Sequence, residues 1–409
     1  MASKTTKKKQ KTLRQLWYTV FPRKKSWSGE AYYDYNLLAC VILLTCFGLV
    51  MLYSTSAYTA KVKYGSDMAF FGKQAVISVG CIFGMMAISK ADYHWIASWG
   101  TLLYGVSNIL LFATKYVGED VNGATRWIKL GPVQFQTAEI AKLAIILFIP
   151  SVIVKMGRNI KGWKSPLLLL FFGAVTAVLT WKFTNNLSSA MIIAGMTVVL
   201  IIVAHPWGTR IAIIGGIASV PAVSIIRSVA VQLAQSSDSF RWGRIQAWLN
   251  PESESSGKGY QIMQGLYALG SGGLFGKGLG NSAQKLGAVP EAQNDMIFTI
   301  VCEELGVFGA AVLTMLFVFL LYRLFFIAQN APDLYGTLVV TGIFVHIALQ
   351  VILNLCVVLN LMPTTGITLP FVSYGGTSIL FLMAEMGIAL SVSGRIQTTG
   401  EDITEAETA

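Results

Sequence analysis

The feature that most constrains this chain is its series of apolar runs, at about 36–55, 74–89, 94–114, 138–154, 166–183, 187–204, 211–233, 296–322, 335–358 and 377–394. A helix needs roughly 20 mainly apolar residues to cross the hydrocarbon core of a bilayer. Most of these runs reach or approach that length, so the sequence predicts an all-α polytopic membrane protein with about ten transmembrane helices. Hydrophobic residues make up 54% of the 409 and charged residues only 12%, about half the charged share of a soluble domain. No polar stretch is long enough for a separate globular domain. The expected organisation is a basic segment over 1–34, one membrane domain over 35–395 and an acidic tail over 396–409.

Charge sets the orientation. The net charge is +11, and residues 1 to 25 hold Lys4, Lys7, Lys8, Lys9, Lys11, Arg14, Arg23, Lys24 and Lys25 with no acid. Basic flanks stay on the cytoplasmic side and are drawn to anionic lipid, so no nucleic-acid partner is expected. The basic stretch is too long for a cleavable signal peptide, and no small-residue cleavage site follows the first apolar run. With the N-terminus inside, Lys155, Arg158, Lys161, Lys164, Arg210, Arg323 and Arg395 all fall on the cytoplasmic side. An even number of crossings puts both termini there. Three long connections are then external: about 115–137, 234–295 and 359–376. Connections this long are usually functional. The Pro and Gly content of 359–376 argues against a continuous helix, and broken backbone at membrane depth survives only inside protein or beside a wet cavity. The five cysteines show no CxxC and the three histidines are scattered, so neither a disulfide framework nor a zinc site is expected.

Few polar groups stand out against this background. Glu139 and Lys142, at i, i+3 in TAEIAKLAIILF, share a helix face and can pair; they are either a bundle-holding ion pair or part of a substrate site. Arg126 and Trp127 combine a phosphate-capable fork with a residue suited to an interfacial belt. Arg241 and Arg244, in FRWGRIQAW, fit an interfacial amphipathic helix or a basic edge facing a lipid phosphate. The run GLYALGSGGLFGKGLGNSAQKLG offers either flexible turns or backbone N–H groups for an anion. His346 and Glu385 lie inside apolar runs, as a proton relay or an interhelical hydrogen bond. In PEAQNDMIF, Asp295 follows Glu291 and precedes Glu303 and Glu304. On an α-helix Asp295 and Glu303, eight residues apart, lie close to one face, and carboxylates gathered around one outer helix end suggest a cation site or acid–base chemistry. A carboxylate near an apolar wall becomes a usable proton acceptor at neutral pH. A helix N-terminal acid, worth about 0.3–1 kcal/mol, accounts for Asp295 but not for Glu303 and Glu304.

Four blocks occur in order: NGATRWIKLG, then FQTAEIAKL, then GKGYQIMQGLYALGSGGLFGKGLGNSAQKLGAVPEAQNDMIF, then PTTGITLPFVSYGGTS. Together they resemble the SEDS family (shape, elongation, division and sporulation) of polytopic peptidoglycan polymerases, over essentially the whole membrane region. GLGNSAQKL and PEA are more similar to its division and sporulation branch than to its elongation branch. Two departures stand out. The family usually has Gln-Pro-Ser/Ala-Glu where this chain has Gln136-Thr137-Ala138-Glu139, and His-Thr-Asp where this chain has Gln293-Asn294-Asp295.

The resemblance implies a glycosyltransferase that polymerises lipid II at the outer face of the bacterial cytoplasmic membrane, with undecaprenyl pyrophosphate as the leaving group. It makes Asp295 the expected general base. Arg126, Lys142, Arg241, Arg244 and Lys285 are expected to meet the pyrophosphate, with Trp127, Glu139, Ser373, Tyr374, Gly375 and Gly376 also at the substrate. A divalent cation, Mg²⁺ or Mn²⁺, is expected to share the neutralisation, with no motif marking its site. The implied partners are a class B penicillin-binding protein, which is a transpeptidase, and other divisome or sporulation membrane proteins. The alternatives are a lipid II flippase, whose key charges would lie near mid-bilayer at broken helices, and a non-catalytic scaffold for the transpeptidase.

Overall fold

The computed structural model describes residues 31–397, except 122–123, 131–132, 209, 211, 214–215, 217–239, 254–257, 286–288 and 290–291. The basic stretch before residue 31 and the acidic tail after 397 lie outside the described residues, as does almost all of the expected span 211–233.

Every other expected apolar run is helical. The helices are α1 (Tyr35–Tyr64), α2 (Ala69–Lys90), α3 (Tyr93–Ser98), α4 (Gly100–Val117), α5 (Thr137–Met156), α6 (Lys164–Thr184), α7 (Leu187–Ala204), α8 (Phe240–Leu249), α9 (Lys258–Ser271), α10 (Ile297–Asn330), α11 (Leu334–Val358) and α12 (Gly376–Ser393). Among the described residues, 8 helices are long and apolar enough to cross a membrane: α1, α2, α5 with its short extension to Lys161, α6, α7, α10, α11 and α12. The expected run 94–114 is divided between α3 and α4. Polar side chains start several helices: Asp34 accepts from the Leu37 N–H at 2.9 Å, Asn186 from Ser189 at 3.0 Å and Asp333 from Gly336 at 2.6 Å. Each satisfies one donor that a helix N-terminus leaves open.

Helix α5 is central, buried along nearly its whole length. It packs on α4, α7 and α11, while α2 lies along α12 and α10 along α11. Small residues permit the close approaches, as membrane bundles require; a Cβ on Gly387 of α12 would sit 2.8 Å from the Met85 carbonyl of α2. His346 of α11 and Glu385 of α12 meet at 2.8 Å between Nδ1 and Oε2, both fully buried, so an interhelical hydrogen bond is what they form.

The chain also forms strands, which the wholly helical expectation missed. Strands β1 (Ala31–Tyr32) and β5 (Ile396–Gln397) pair antiparallel and bring the two described chain ends together. Beside them the Arg323 guanidinium bonds the buried Asp34 carboxylate, at 2.7 Å from Nη2, and Arg395 donates to the Ser391 carbonyl at 2.9 Å. Arg323 and Arg395 thus lie at the same end of the bundle as the chain ends, as their charge predicted. The other end holds the long connections. Within 115–137, strands β2 (Glu119–Val121), β3 (Ala124–Leu130) and β4 (Val133–Gln136) make a three-stranded antiparallel sheet, with Trp127 opposite Gln136. Helices α8 and α9 lie in the 234–295 connection, and 359–375 is an ordered non-helical stretch packed back into the bundle.

Candidate active site

Asp295 lies in a turn at 292–296, just ahead of α10. Backbone bonds from elsewhere hold that turn. The Asn354 amide of α11 donates to the Asp295 carbonyl at 2.9 Å, and the Tyr374 N–H donates to the Gln293 carbonyl at 2.9 Å. The 359–375 stretch is therefore docked on the residues immediately before Asp295. Gln293, one of the two positions where the chain departs from the family pattern, helps hold this turn through its main-chain carbonyl.

Two guanidinium groups share the electrostatic field of Asp295. Arg126 projects from β3 and donates to the Asn185 carbonyl at 3.3 Å. Arg244 projects from α8 and donates to the Thr364 carbonyl at 3.2 Å. Burial holds the Arg126 guanidinium below its ordinary range, the positive charge of Arg244 lowers it further, and the Asp295 carboxylate pulls it back up. Burial likewise lowers Arg244, and Asp295 opposes it. Two partly desolvated cations and one carboxylate, drawn from the 115–137 and 234–295 connections, thus share one electrostatic field, an arrangement suited to an anion next to a proton acceptor. Arg241 stands three residues before Arg244 on α8; its side chain lies outside the described residues.

The remaining sequence-predicted residues are distributed around this group. Trp127 is half-buried in β3. Glu139 and Lys142 form a buried ion pair at 2.9 Å, and the ammonium also donates to Gln350 Oε1 at 3.3 Å. Helix α5 starts at Thr137 without the family's proline, and the Thr137 hydroxyl accepts from Thr114 of α4 at 3.0 Å. Ser373 closes a turn by accepting from the Leu369 N–H at 2.8 Å. The Tyr374 ring meets Phe70 edge-on at 5.2 Å, and burial raises its hydroxyl pKa. Gly375 precedes α12, and Gly376 opens it against Ile77, 3.3 Å from where a Cβ would stand.

Among the described residues the expected carboxylate cluster is not assembled. Asp295 precedes the helix, so the eight-residue periodicity does not apply to it. Glu291 lies outside the described residues. Glu303 pairs with Lys277 at 2.7 Å, and Glu304 pairs with Lys285 at 2.8 Å and accepts from Ser54 at 2.7 Å. Both carboxylates are fully buried, and a buried charge persists only when paired. Among the described residues no group of three or more His, Cys, Asp or Glu could hold a metal.

The ion pairs belong to a feature that the pattern reading missed. Helix α10 is broken at Gly306, with φ 67° and ψ −167°. In a continuous helix Val307 N–H would donate to Glu303 C=O, and Phe308 N–H to Glu304 C=O. Here the glycine-rich loop supplies all four partners. Lys277 and Gly278 donate to the Glu303 and Glu304 carbonyls at 3.0 and 2.9 Å, while Val307 and Phe308 donate to the Gly273 and Leu274 carbonyls at 3.0 and 3.1 Å. Unsatisfied backbone groups in hydrocarbon cost several kcal/mol each, which is why the loop must follow the break so closely. The Lys277 and Gly278 N–H groups are spent on helix carbonyls, and those of Ser282 and Ala283 point to the Glu304 and Glu303 carboxylates. The break leaves a short helix over 297–305, whose N-terminal end adjoins Asp295. Asn354 and Gln350 were also missed; the available signal was two amides at i, i+4 in a mainly apolar helix.

A family model described as cell cycle protein, FtsW/RodA/SpoVE, matches residues 34–397. Stage V sporulation protein E of Bacillus subtilis (strain 168) is 38% identical, over 88% of this chain and 96% of its own length. A probable peptidoglycan glycosyltransferase FtsW of the same organism is 35% identical, over 88% of this chain and 90% of its own. Among solved structures, a chain from a study of how a peptidoglycan synthase complex coordinates polymerization and crosslinking superposes with a TM-score of 0.73 at 26% identity, covering 88% of this chain and 97% of that one. The rod shape determining protein RodA of Thermus thermophilus gives 0.65 at 25% identity, covering 90% and 98%.

Proposed function

The chain belongs to the FtsW/RodA/SpoVE family, and from that we propose that it is a peptidoglycan glycosyltransferase that polymerises lipid II, with Asp295 as general base. The observation that carries this reading is that Arg126 and Arg244, bonded to the Asn185 and Thr364 carbonyls, both lie within the electrostatic field of Asp295, at the end of the bundle opposite the chain ends. With the basic N-terminal stretch in the cytoplasm, that end faces outward from the bacterial cytoplasmic membrane, where lipid-borne sugars of a growing wall are within reach.

In this mechanism the acceptor's sugar 4-hydroxyl attacks the donor's anomeric carbon. Asp295 takes the hydroxyl proton as the new C–O bond forms. The bond from the anomeric carbon to the pyrophosphate oxygen breaks, and undecaprenyl pyrophosphate leaves with that electron pair. The transition state has oxocarbenium character, as in glycoside hydrolysis. A positioned base contributes about 10²–10⁴-fold. Arg126 and Arg244 meet the pyrophosphate, with Arg241 on the same helix as a further candidate. Lys142 and Lys285 are held by Glu139 and Glu304 and support the site from behind. A divalent cation, Mg²⁺ or Mn²⁺, belongs to the proposal as a companion of the pyrophosphate: the described acidic residues do not fit a protein-held site, and no step is routed through it. The related chain solved in a peptidoglycan synthase complex supports a transpeptidase of the class B penicillin-binding protein type as partner, within a division or sporulation assembly.

The test is glycan synthesis from labelled lipid II by the detergent-purified chain, with and without a transpeptidase partner, scored beside lipid II translocation in vesicles. Polymer that disappears in Asp295→Asn supports the proposal. Translocation without polymer supports a flippase instead, and polymer that forms only from the partner supports a scaffold.

A further inference from the structure

Asn354 is fully buried on α11 and touches the main chain of the candidate base directly. Its single amide nitrogen spends both hydrogens on carbonyls from two different connections: Asp295 at 2.9 Å and Ile367 at 2.7 Å. One helical turn earlier, Gln350 donates to the Thr368 carbonyl at 3.0 Å. Its own carbonyl accepts from Lys142, which pairs with Glu139. Residues at i and i+4 share a helix face, so the two amides form a ladder. Its rungs join the buried Glu139–Lys142 pair to the 359–375 stretch, and that stretch to Asp295.

The turn at 292–296 needs such a ladder. It precedes α10 and joins it through the Met296 carbonyl, which accepts from the Thr299 N–H at 3.0 Å, and the helix that follows is short because of the break at Gly306. We infer that Asn354 is a positioning residue: it sets the place of Asp295 by tying the Asp295 and Ile367 carbonyls to one amide, with Gln350 as the second rung. The inference rests on the reading of Asp295 as general base. A primary amide suits this role because it offers two donors; an ionised carboxylate of the same shape offers none. A base misplaced by about 1 Å costs on the order of 10²-fold in rate.

The experiment uses the full chain with Asn354→Asp and Asn354→Leu in lipid II polymerisation, with Asp295→Asn as a parallel arm. Both Asn354 variants are expected to lose kcat by on the order of 10²-fold while KM stays within about twofold, the mark of an effect on the chemical step. Acidification protonates the introduced carboxyl and restores one donor. The kcat ratio of Asn354→Asp to the unchanged chain therefore rises as pH falls, whereas the ratio for Asn354→Leu, which adds no titrating group, stays flat. Hydrogen exchange is expected to accelerate at 292–297 and at 366–372 in both variants. Unchanged kcat in Asn354→Leu, a pH-independent ratio for Asn354→Asp, or unaltered exchange in those segments overturns the inference. Exchange is read without turnover, so it tests the ladder even if Asp295→Asn stays active and the reading of Asp295 fails.

Discussion

Replacing Gly306 by alanine tests whether the break in α10 is built into the site. At φ 67° and ψ −167° the backbone is in a region that essentially only glycine occupies, at about 1–3 kcal/mol for any other residue. The alanine Cβ would also stand 2.4 Å from the Gly276 nitrogen and 2.5 Å from the Leu274 carbonyl oxygen. Both are backbone atoms, so the loop must withdraw. Withdrawal leaves at least one buried backbone group unsatisfied, at about 1–3 kcal/mol. The expected loss is therefore about 2–6 kcal/mol, and its lower bound already shifts the folding equilibrium roughly 30-fold. Gly65→Ala is the control. Gly65 also has a positive φ of 73°, but nothing lies within 4 Å of its Cβ position, so only the left-handed penalty of about 1–2 kcal/mol applies. Denaturant unfolding in detergent gives both losses, and lipid II polymerisation per folded molecule gives the functional effect. Gly306→Ala should lose more stability and also polymerisation, because the short helix beside Asp295 shifts with the loop. Equal losses in the two variants, or a Gly306→Ala chain with normal stability and turnover, would refute the reasoning.

Lys285→Met strands the buried Glu304 carboxylate and should cost about 3–5 kcal/mol, while Lys285→Met with Glu304→Leu should recover much of that; unfolding of the single and double variants checks it, and an additive double loss counts against the pairing. Arg126→Lys and Arg244→Lys keep the charge but lose the planar fork. Each should lower kcat/KM for lipid II by about 10–100-fold, the worth of a hydrogen bond to a charged group at about 1.5–3 kcal/mol; unchanged steady-state kinetics in both would remove them from the pyrophosphate site.

The spans were legible because a bilayer imposes long apolar runs that few other folds need. Arg323 and Arg395 were legible as neighbours of the chain ends because basic residues collect on one side of a membrane. Asp295 stood out as a charge against an apolar run. The break at Gly306 was not legible: a glycine inside such a run reads as a packing residue, and the carbonyls it frees, those of Glu303 and Glu304, are satisfied from a loop far back in the chain, by the Lys277 and Gly278 N–H groups. That same loop misled the reading of Glu303 and Glu304, whose lysine partners lie 26 and 19 residues away. Spacing along one helix grouped these acids with Asp295, but tertiary pairing separates them. Asn354 showed only as one of two amides at i, i+4, because its partners are main-chain carbonyls that leave no trace in side-chain patterns.

The central claim is that Asp295 accepts the acceptor proton during polymerisation. Its most direct test is single-turnover glycan synthesis from labelled lipid II by the folded chain and by Asp295→Asn, with lipid II binding measured on the same preparations. The account predicts that binding is retained in Asp295→Asn and that the bond-forming rate falls by about 10²–10⁴-fold. An unchanged bond-forming rate with Asp295 replaced would contradict it.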